Sequence, residues 1–224
     1  MSRKRLIKNT QSRLRPKVKL VSSKTENQKN YIHGIVDNDI IFCSGPAGSG
    51  KSFIAAGMAS QYLYQDDIEK IIITRPLVCT GKDIGSLPGE LQEKINPYLV
   101  PMRENLKYFL GLMYYNEFYQ QGQICFEPLE MMRGMTFHNC CMILDEAQNC
   151  TFEQIKMFIT RMGKNSKVII NGDINQTDLT RGRSGLENCI NKLREVEGIA
   201  VCELNHDDIQ RNDLIAKVLR ALET

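Results

Sequence analysis

Five short runs of nearly unbroken apolar residues punctuate the chain, at 40–44, 71–74, 140–144, 168–171 and 199–204. Their length predicts strands. They are apolar at almost every position instead of every second one, which predicts strands covered on both faces, as in a parallel sheet. Between and after them, apolar positions recur at helical spacing over 51–64, 152–162, 185–196 and, terminally, 214–222. Strands alternating with helices predict an α/β fold, a three-layer sandwich around a mainly parallel central sheet with right-handed crossovers. In such sheets ligands bind beyond the carboxyl ends of the strands. Residues 45–52, Thr74-Arg75-Pro76, Asp145-Glu146 and Gly172-Asp173 all follow predicted strands at that end, so a single composite site is expected there.

Residues 76–122 do not fit simple alternation. They hold Gly81, Gly85, Pro88, Gly89, Pro97 and Pro101, followed by an apolar and aromatic stretch from Met102 to Tyr119. Met102, Leu106, Phe109, Leu110 and Met113 fall on one helical face, and Tyr114, Tyr115, Phe118 and Tyr119 follow. A helical insertion, a hairpin packed on the sheet, is the plainer reading. The alternative is an oligomer contact, or a surface that stacks nucleic-acid bases on its aromatics.

The run at 40–44 leads into Gly45-Pro46-Ala47-Gly48-Ser49-Gly50-Lys51-Ser52, a complete P-loop ahead of a helical pattern. In this arrangement successive backbone N–H groups curl around phosphate oxygens, and the following helix offers them its positive N-terminus. Lys51 is placed to reach the β- and γ-phosphates, and the Ser52 hydroxyl to sit on Mg²⁺. The strand context separates this from a glycine-rich turn that happens to carry a lysine.

The apolar run at 140–144 ends in Asp145-Glu146. A carboxylate there holds Mg²⁺ opposite Ser52, directly or through water, and Asp145 is the candidate. Glu146 is placed to orient or deprotonate an attacking water. After the fourth run, Asp173 and Gln176 are candidates for sensing the γ-phosphate, with Gly172 allowing a tight turn; a helix cap and polar loop would use the same residues. Arg211 is a candidate cation for transition-state charge, acting in cis or from a neighbouring subunit, although a lone arginine also serves as a surface ion-pair partner.

Charge changes the picture at one end. Residues 1–24 carry nine of the 29 Lys and Arg and none of the 26 Asp and Glu, so residues 25–224 are net acidic by six. Such an arm suits sequence-blind, salt-sensitive binding to nucleic acid. A solvated disordered terminus, or an Arg-rich organellar targeting peptide, would look similar. It lacks the apolar core of a secretory signal, and no apolar run approaches the ~20 residues of a membrane span. The eight cysteines include no C-x-x-C pair; Cys43, Cys140, Cys141 and Cys202 lie inside apolar runs, and His33, His138 and His206 form no ligand pattern. Zinc-finger spacing is therefore absent, and a reducing cytoplasm is the expected compartment.

These motifs together resemble the PhoH-like family of P-loop ATPases, itself similar to the ATPase core of superfamily 1 helicases. The resemblance runs from about Thr25 onward. It is carried by Glu26-Asn27-Gln28-Lys29, residues 45–52, Ile73-Thr74-Arg75-Pro76, Gly85-Ser86-Leu87-Pro88-Gly89, Arg133-Gly134, Asp145-Glu146-Ala147-Gln148-Asn149, Gly172-Asp173 with Gln176, and Ser184-Gly185-Leu186. It implies a P-loop NTPase (RecA-like, helicase-like) domain over 25–224, with 1–24 outside it and 76–122 inserted. It further implies that Gln28 reads the adenine edge, that Asp145 holds Mg²⁺ with Glu146 as base, that Gln176 couples hydrolysis, and that Arg211 stands where a late arginine occurs. At Arg211 the pattern departs, because Asn212-Asp213 follows where His-Pro is common. Some members carry a fused PIN-type nuclease domain; nothing in this chain resembles one, so the resemblance implies the stand-alone form.

The expected function is Mg²⁺-dependent ATP binding and hydrolysis coupled to nucleic acid, RNA ahead of DNA, without a membrane partner. Helicase cores place ATP between two related domains, and this chain has room for one. A homo-oligomer is therefore expected, with a hexameric ring in view, each neighbour completing a site. Two other classes stay open: a small-molecule phosphotransferase with residues 76–122 as lid or acceptor pocket, and an ATP-gated assembly module with little turnover.

Overall fold

The computed structural model describes residues 18–76, 91–176 and 184–209. Helix α1 (Glu26–Asp37) starts at Thr25, whose hydroxyl accepts a hydrogen bond from the Gln28 N–H at 3.2 Å, satisfying one of the free N–H groups of the first turn. It leads into β1 (Ile40–Ser44), the P-loop and α2 (Lys51–Tyr64). The chain continues through β2 (Lys70–Thr74), α3 (Leu91–Gln120), β3 (Ile124–Phe126) and β4 (Cys140–Leu144). After these come α4 (Phe152–Ile159), β5 (Lys167–Gly172), α5 (Gly185–Leu193) and β6 (Ile199–Glu203). The six strands form one sheet in the order β3-β2-β4-β5-β1-β6, with every pairing parallel.

Strand residues alternate between two buried layers, the reason the runs read as continuously apolar. Ile41, Cys43, Ile71, Ile73, Cys141, Ile143 and Ile169 face α1, α2 and α3. Phe42, Ile72, Cys140, Met142, Leu144, Val168 and Ile170 face α4 and α5. This is the expected three-layer α/β sandwich. The thiols behave as core hydrophobes: burial pushes Cys141 and Cys150 up to about 12, and Cys202 to about 11. Among the described residues no helix is long and apolar enough to cross a membrane.

The structure differs from the expectations in several places. Edge strand β3 is not among the expected strands, because three residues between polar neighbours are too short to show a period. Helix α1 is likewise marked in the sequence only by its motif. Helices α4 and α5 stop at Ile159 and Leu193, each about three residues early. Residues 77–90 of the expected hairpin lie outside the described residues. Within 76–122 the described part is a span of two helices that meet at a kink at Gly111 (φ 75°, ψ 155°). That interruption resets the helical phase. Met102, Leu106, Phe109 and Leu110 are buried before it and Tyr114, Tyr115 and Phe118 after it, while Met113 is 61% exposed. Most of the aromatic stretch is therefore core, although Tyr119 stays half-exposed, stacked on Tyr115 at 5.9 Å. The arm up to residue 17, the 214–222 helix and Arg211 lie outside the described residues.

Candidate nucleotide site

The P-loop turns on Gly48 (φ 85°) and Gly50 (φ 100°), both in the left-handed region that favours glycine. Gly50 is the N-cap of α2 and supplies no side-chain acceptor, so the free N–H groups of the first turn are left to the loop's concave side. The loop is braced by the Ser49 hydroxyl donating to the Pro46 carbonyl at 2.8 Å, and by the Gly45 N–H donating to Gly172 on β5 at 3.1 Å. Lys51 Nζ donates to the carbonyls of Gly45 (2.5 Å) and Pro46 (2.9 Å), folding back over the loop it follows.

Two motifs 93 residues apart meet here. Ser52 Oγ donates to Asp145 Oδ1 at 2.7 Å. Asp145 is 7% exposed, and its pKa is raised, first by burial and then by the neighbouring Glu146, with the Ser52 hydrogen bond, Arg75 and Lys51 opposing. A hydroxyl and a carboxylate at this spacing are hard oxygen donors, the set that suits Mg²⁺. Glu146 adopts a left-handed backbone (φ 57°, ψ 41°), which costs a residue with a Cβ roughly 1–3 kcal/mol and is typical of functional sites. Its Oε1 pairs with Arg75 Nη2 at 3.2 Å, and its Oε2 accepts from Gln148 Nε2 at 2.6 Å. Gln148 Oε1 in turn accepts from the Asp173 N–H at 3.1 Å.

The cavity these groups share measures about 610 Å³. It is lined by the P-loop, Asp145, Glu146, Asp173 and Gln176, and also by Phe53, Pro101 and Asn105. Gln28, Lys51, Ser52, Asp145, Glu146 and Gln176 are thus brought together as expected. Asp173 is buried and Gln176 exposed. Gln28 lines the cavity, but its amide is engaged with main chain: Nε2 donates to Ser49 O (2.9 Å) and Asp208 O (3.3 Å), and Oε1 accepts from Lys24 N (2.8 Å). Asp208, buried, also accepts from the Thr25 hydroxyl and from Asn27 Nδ2 at 3.0 Å. The segment ahead of α1, the P-loop and the turn after β6 are therefore one hydrogen-bonded unit.

Gly172 has a different reason from the tight turn expected of it. A Cβ there would lie 2.9 Å from Gln148 Oε1 and 2.5 Å from Leu186 Cδ2, so the glycine makes room for the Gln148 bridge. Neither Arg75 nor Gln148 acquires a role from the sequence alone, and Phe53 and Asn105 do not stand out in it. The first two are visible there only as members of motifs. Asn105 lies on a helix remote in sequence from every motif, and nothing local marks it.

Residues 20–223 match the family model described as PhoH-like protein. Over 205 residues the chain is 43% identical to a PhoH-like protein of Synechocystis sp., covering 91% of this chain and 62% of that one. Over 208 residues it is 42% identical to a PhoH-like protein of Bacillus subtilis, covering 92% of this chain and 65% of that one. The chain thus spans less than two thirds of the length of either relative. Among solved structures, the large terminase from a thermophilic bacteriophage shares the fold, with a TM-score of 0.53 at 13% identity over 92% of this chain and 50% of that one.

Proposed function

The chain belongs to the PhoH-like family, and from that premise we propose that it binds and hydrolyses ATP in a cycle coupled to nucleic acid, RNA ahead of DNA. The observation that carries the reading is the meeting of Ser52 with Asp145, with Glu146 on the wall of the same cavity. The triphosphate lies along the P-loop N–H groups, and Lys51 exchanges its bonds to Gly45 and Pro46 for phosphate oxygens. Ser52 and Asp145 would hold a Mg²⁺ ion, directly or through water, which would neutralise charge developing on the phosphates. Glu146 accepts the proton of the attacking water, and Gln176, on the lining of the same cavity, contacts water or the terminal phosphate. Gln28 supports the P-loop through Ser49, and to read an adenine edge it exchanges a main-chain bond of its amide for one to the base. Arg211, from the same chain or a neighbour in a homo-oligomeric ring, supplies a late positive charge. A cytoplasmic setting fits the buried, free thiols.

Steady-state hydrolysis with and without single-stranded RNA and DNA, using Glu146→Gln as control, tests the reading. Stimulation by a polymer, lost in E146Q while nucleotide binding persists, is the expected result. Turnover indifferent to both polymers, with transfer of phosphate to a small molecule, would replace it with the phosphotransferase reading. ATP-dependent assembly unaffected by E146Q, with negligible turnover, would replace it with the assembly module.

A further inference from the structure

Arg75 belongs to a motif with no part in the chemistry above, yet it joins two elements at the site. It follows Thr74, which pairs with Leu144 on β4, and the Asp145 N–H donates to Thr74 O at 3.0 Å. Arg75 and Glu146 thus leave adjacent strand ends together. One arm of the guanidinium, Nη2, meets Glu146 Oε1 at 3.2 Å; the other, Nη1, donates to the Tyr98 carbonyl on α3 at 3.2 Å. We propose that Arg75 is a positioning residue that aims the Glu146 carboxylate and couples it to the main chain of α3. The proposal rests on the reading of Glu146 as the base.

A glutamate side chain has three rotatable bonds, so a base on it needs anchors. Arg75 and Gln148 each take one carboxylate oxygen, and each oxygen keeps a lone pair for water. The side chains are 25% and 37% exposed, so screening leaves the pair little to contribute to stability. Orientation is the effect that remains. The guanidinium is planar and its donors are fixed relative to one another, so a displacement of α3 at Tyr98 turns the group that holds Glu146. A lysine carries the charge without the fork and can serve only one partner at a time.

Arg75→Met, which keeps an apolar stem, and Arg75→Lys are compared with wild type for ATP turnover and for binding of a fluorescent ADP analogue. R75M is expected to lower kcat by about 10- to 100-fold, the scale of a displaced catalytic group. Its KM and analogue affinity should stay within about twofold, and R75K should recover only part of the loss. In E146Q, where the base is already gone, adding R75M should leave the residual single-turnover rate unchanged. A further loss of similar size in that background, or a rise in KM without a fall in kcat, would overturn the proposal. If E146Q alone turned over at the wild-type rate, the assignment of the base would fail, an outcome separable from failure of Arg75 alone. Should R75M not fold, R75K carries the same comparison, because it too removes the bridge.

Discussion

Asp145 is an acid in a place that penalises its charge. Burial and Glu146 raise its pKa above the ordinary value of 3.8. A raised folded-state value means that ionised Asp145 destabilises the fold at neutral pH, and that the penalty disappears below the unfolded-state value, where both states are protonated. Asp145→Asn, which can still accept from Ser52, should therefore raise the melting temperature at neutral pH, with the gain shrinking as pH falls toward 3.8. The same substitution should abolish Mg²⁺-dependent turnover. A scanning-calorimetry series across pH checks the first effect, and a melting temperature unchanged or lowered at neutral pH would contradict it. For single residues the sequence is informative about types and uninformative about partners. Lys51, Ser52, Asp145 and Glu146 stand out because the proposed phosphate and magnesium chemistry would demand those types at those spacings. The engagement of the Gln28 amide with Ser49 and Asp208 is not, because its partners lie 21 and 180 residues away.

Among the elements, α4 and α5 meet more closely than side chains allow. A Cβ on Gly185 would stand 2.2 Å from the Phe152 N and 2.4 Å from the Thr151 carbonyl carbon. These are backbone atoms at the capped start of α4, where Thr151 and Gln154 form a capping box, and they cannot swing aside. Gly185→Ala should therefore cost about 1–3 kcal/mol, the usual penalty of overpacking. Urea denaturation measures this, and nucleotide affinity should change little, because Gly185 does not line the cavity. The strands are legible because each presents apolar residues to two layers. The phase shift in α3 is not, since a glycine inside a helical pattern signals a weak point without fixing what the chain does there. Periodicity puts Met113 on the buried face, and the break at Gly111 turns it out to solvent.

Across the molecule, the basic arm and the acidic remainder give a prediction about salt. Residues 1–17 hold seven of the arm's nine Lys and Arg. If the arm neutralises nucleic-acid phosphates, deleting 1–17 should weaken binding at low salt and flatten the dependence of log affinity on log salt. The slope should change by about 0.7 for each single-strand phosphate no longer neutralised. Titrations at several ionic strengths read this directly; an unchanged slope would leave the arm as a solvated terminus. The same deletion should leave unstimulated turnover intact, because it retains the described residues ahead of α1 that are tied to the site. Lys24 supports Gln28 through its main chain. Lys19 packs on α3, through the Tyr108 ring at 3.6 Å and through its N–H to Phe109 O at 3.0 Å. Ending the deletion at residue 17 therefore separates the arm's charge from this packing.

Fold class and the proposed phosphate-binding end of the site can be read from the sequence without coordinates. Both follow from local rules: apolar runs of strand length, a loop whose glycines permit left-handed turns, and acids at the end of a buried strand. Three-dimensional packing alone brings Ser52 to Asp145, joins Glu146 to α3 through Arg75, and clears the way for Gln148 at Gly172. These depend on strand order and register, which bring β2, β4, β5 and β1 side by side from distant parts of the chain. A periodicity marks which face of an element is buried, but not which neighbour covers it, because apolar surfaces attract without direction whereas hydrogen bonds and ion pairs require particular partners at particular distances.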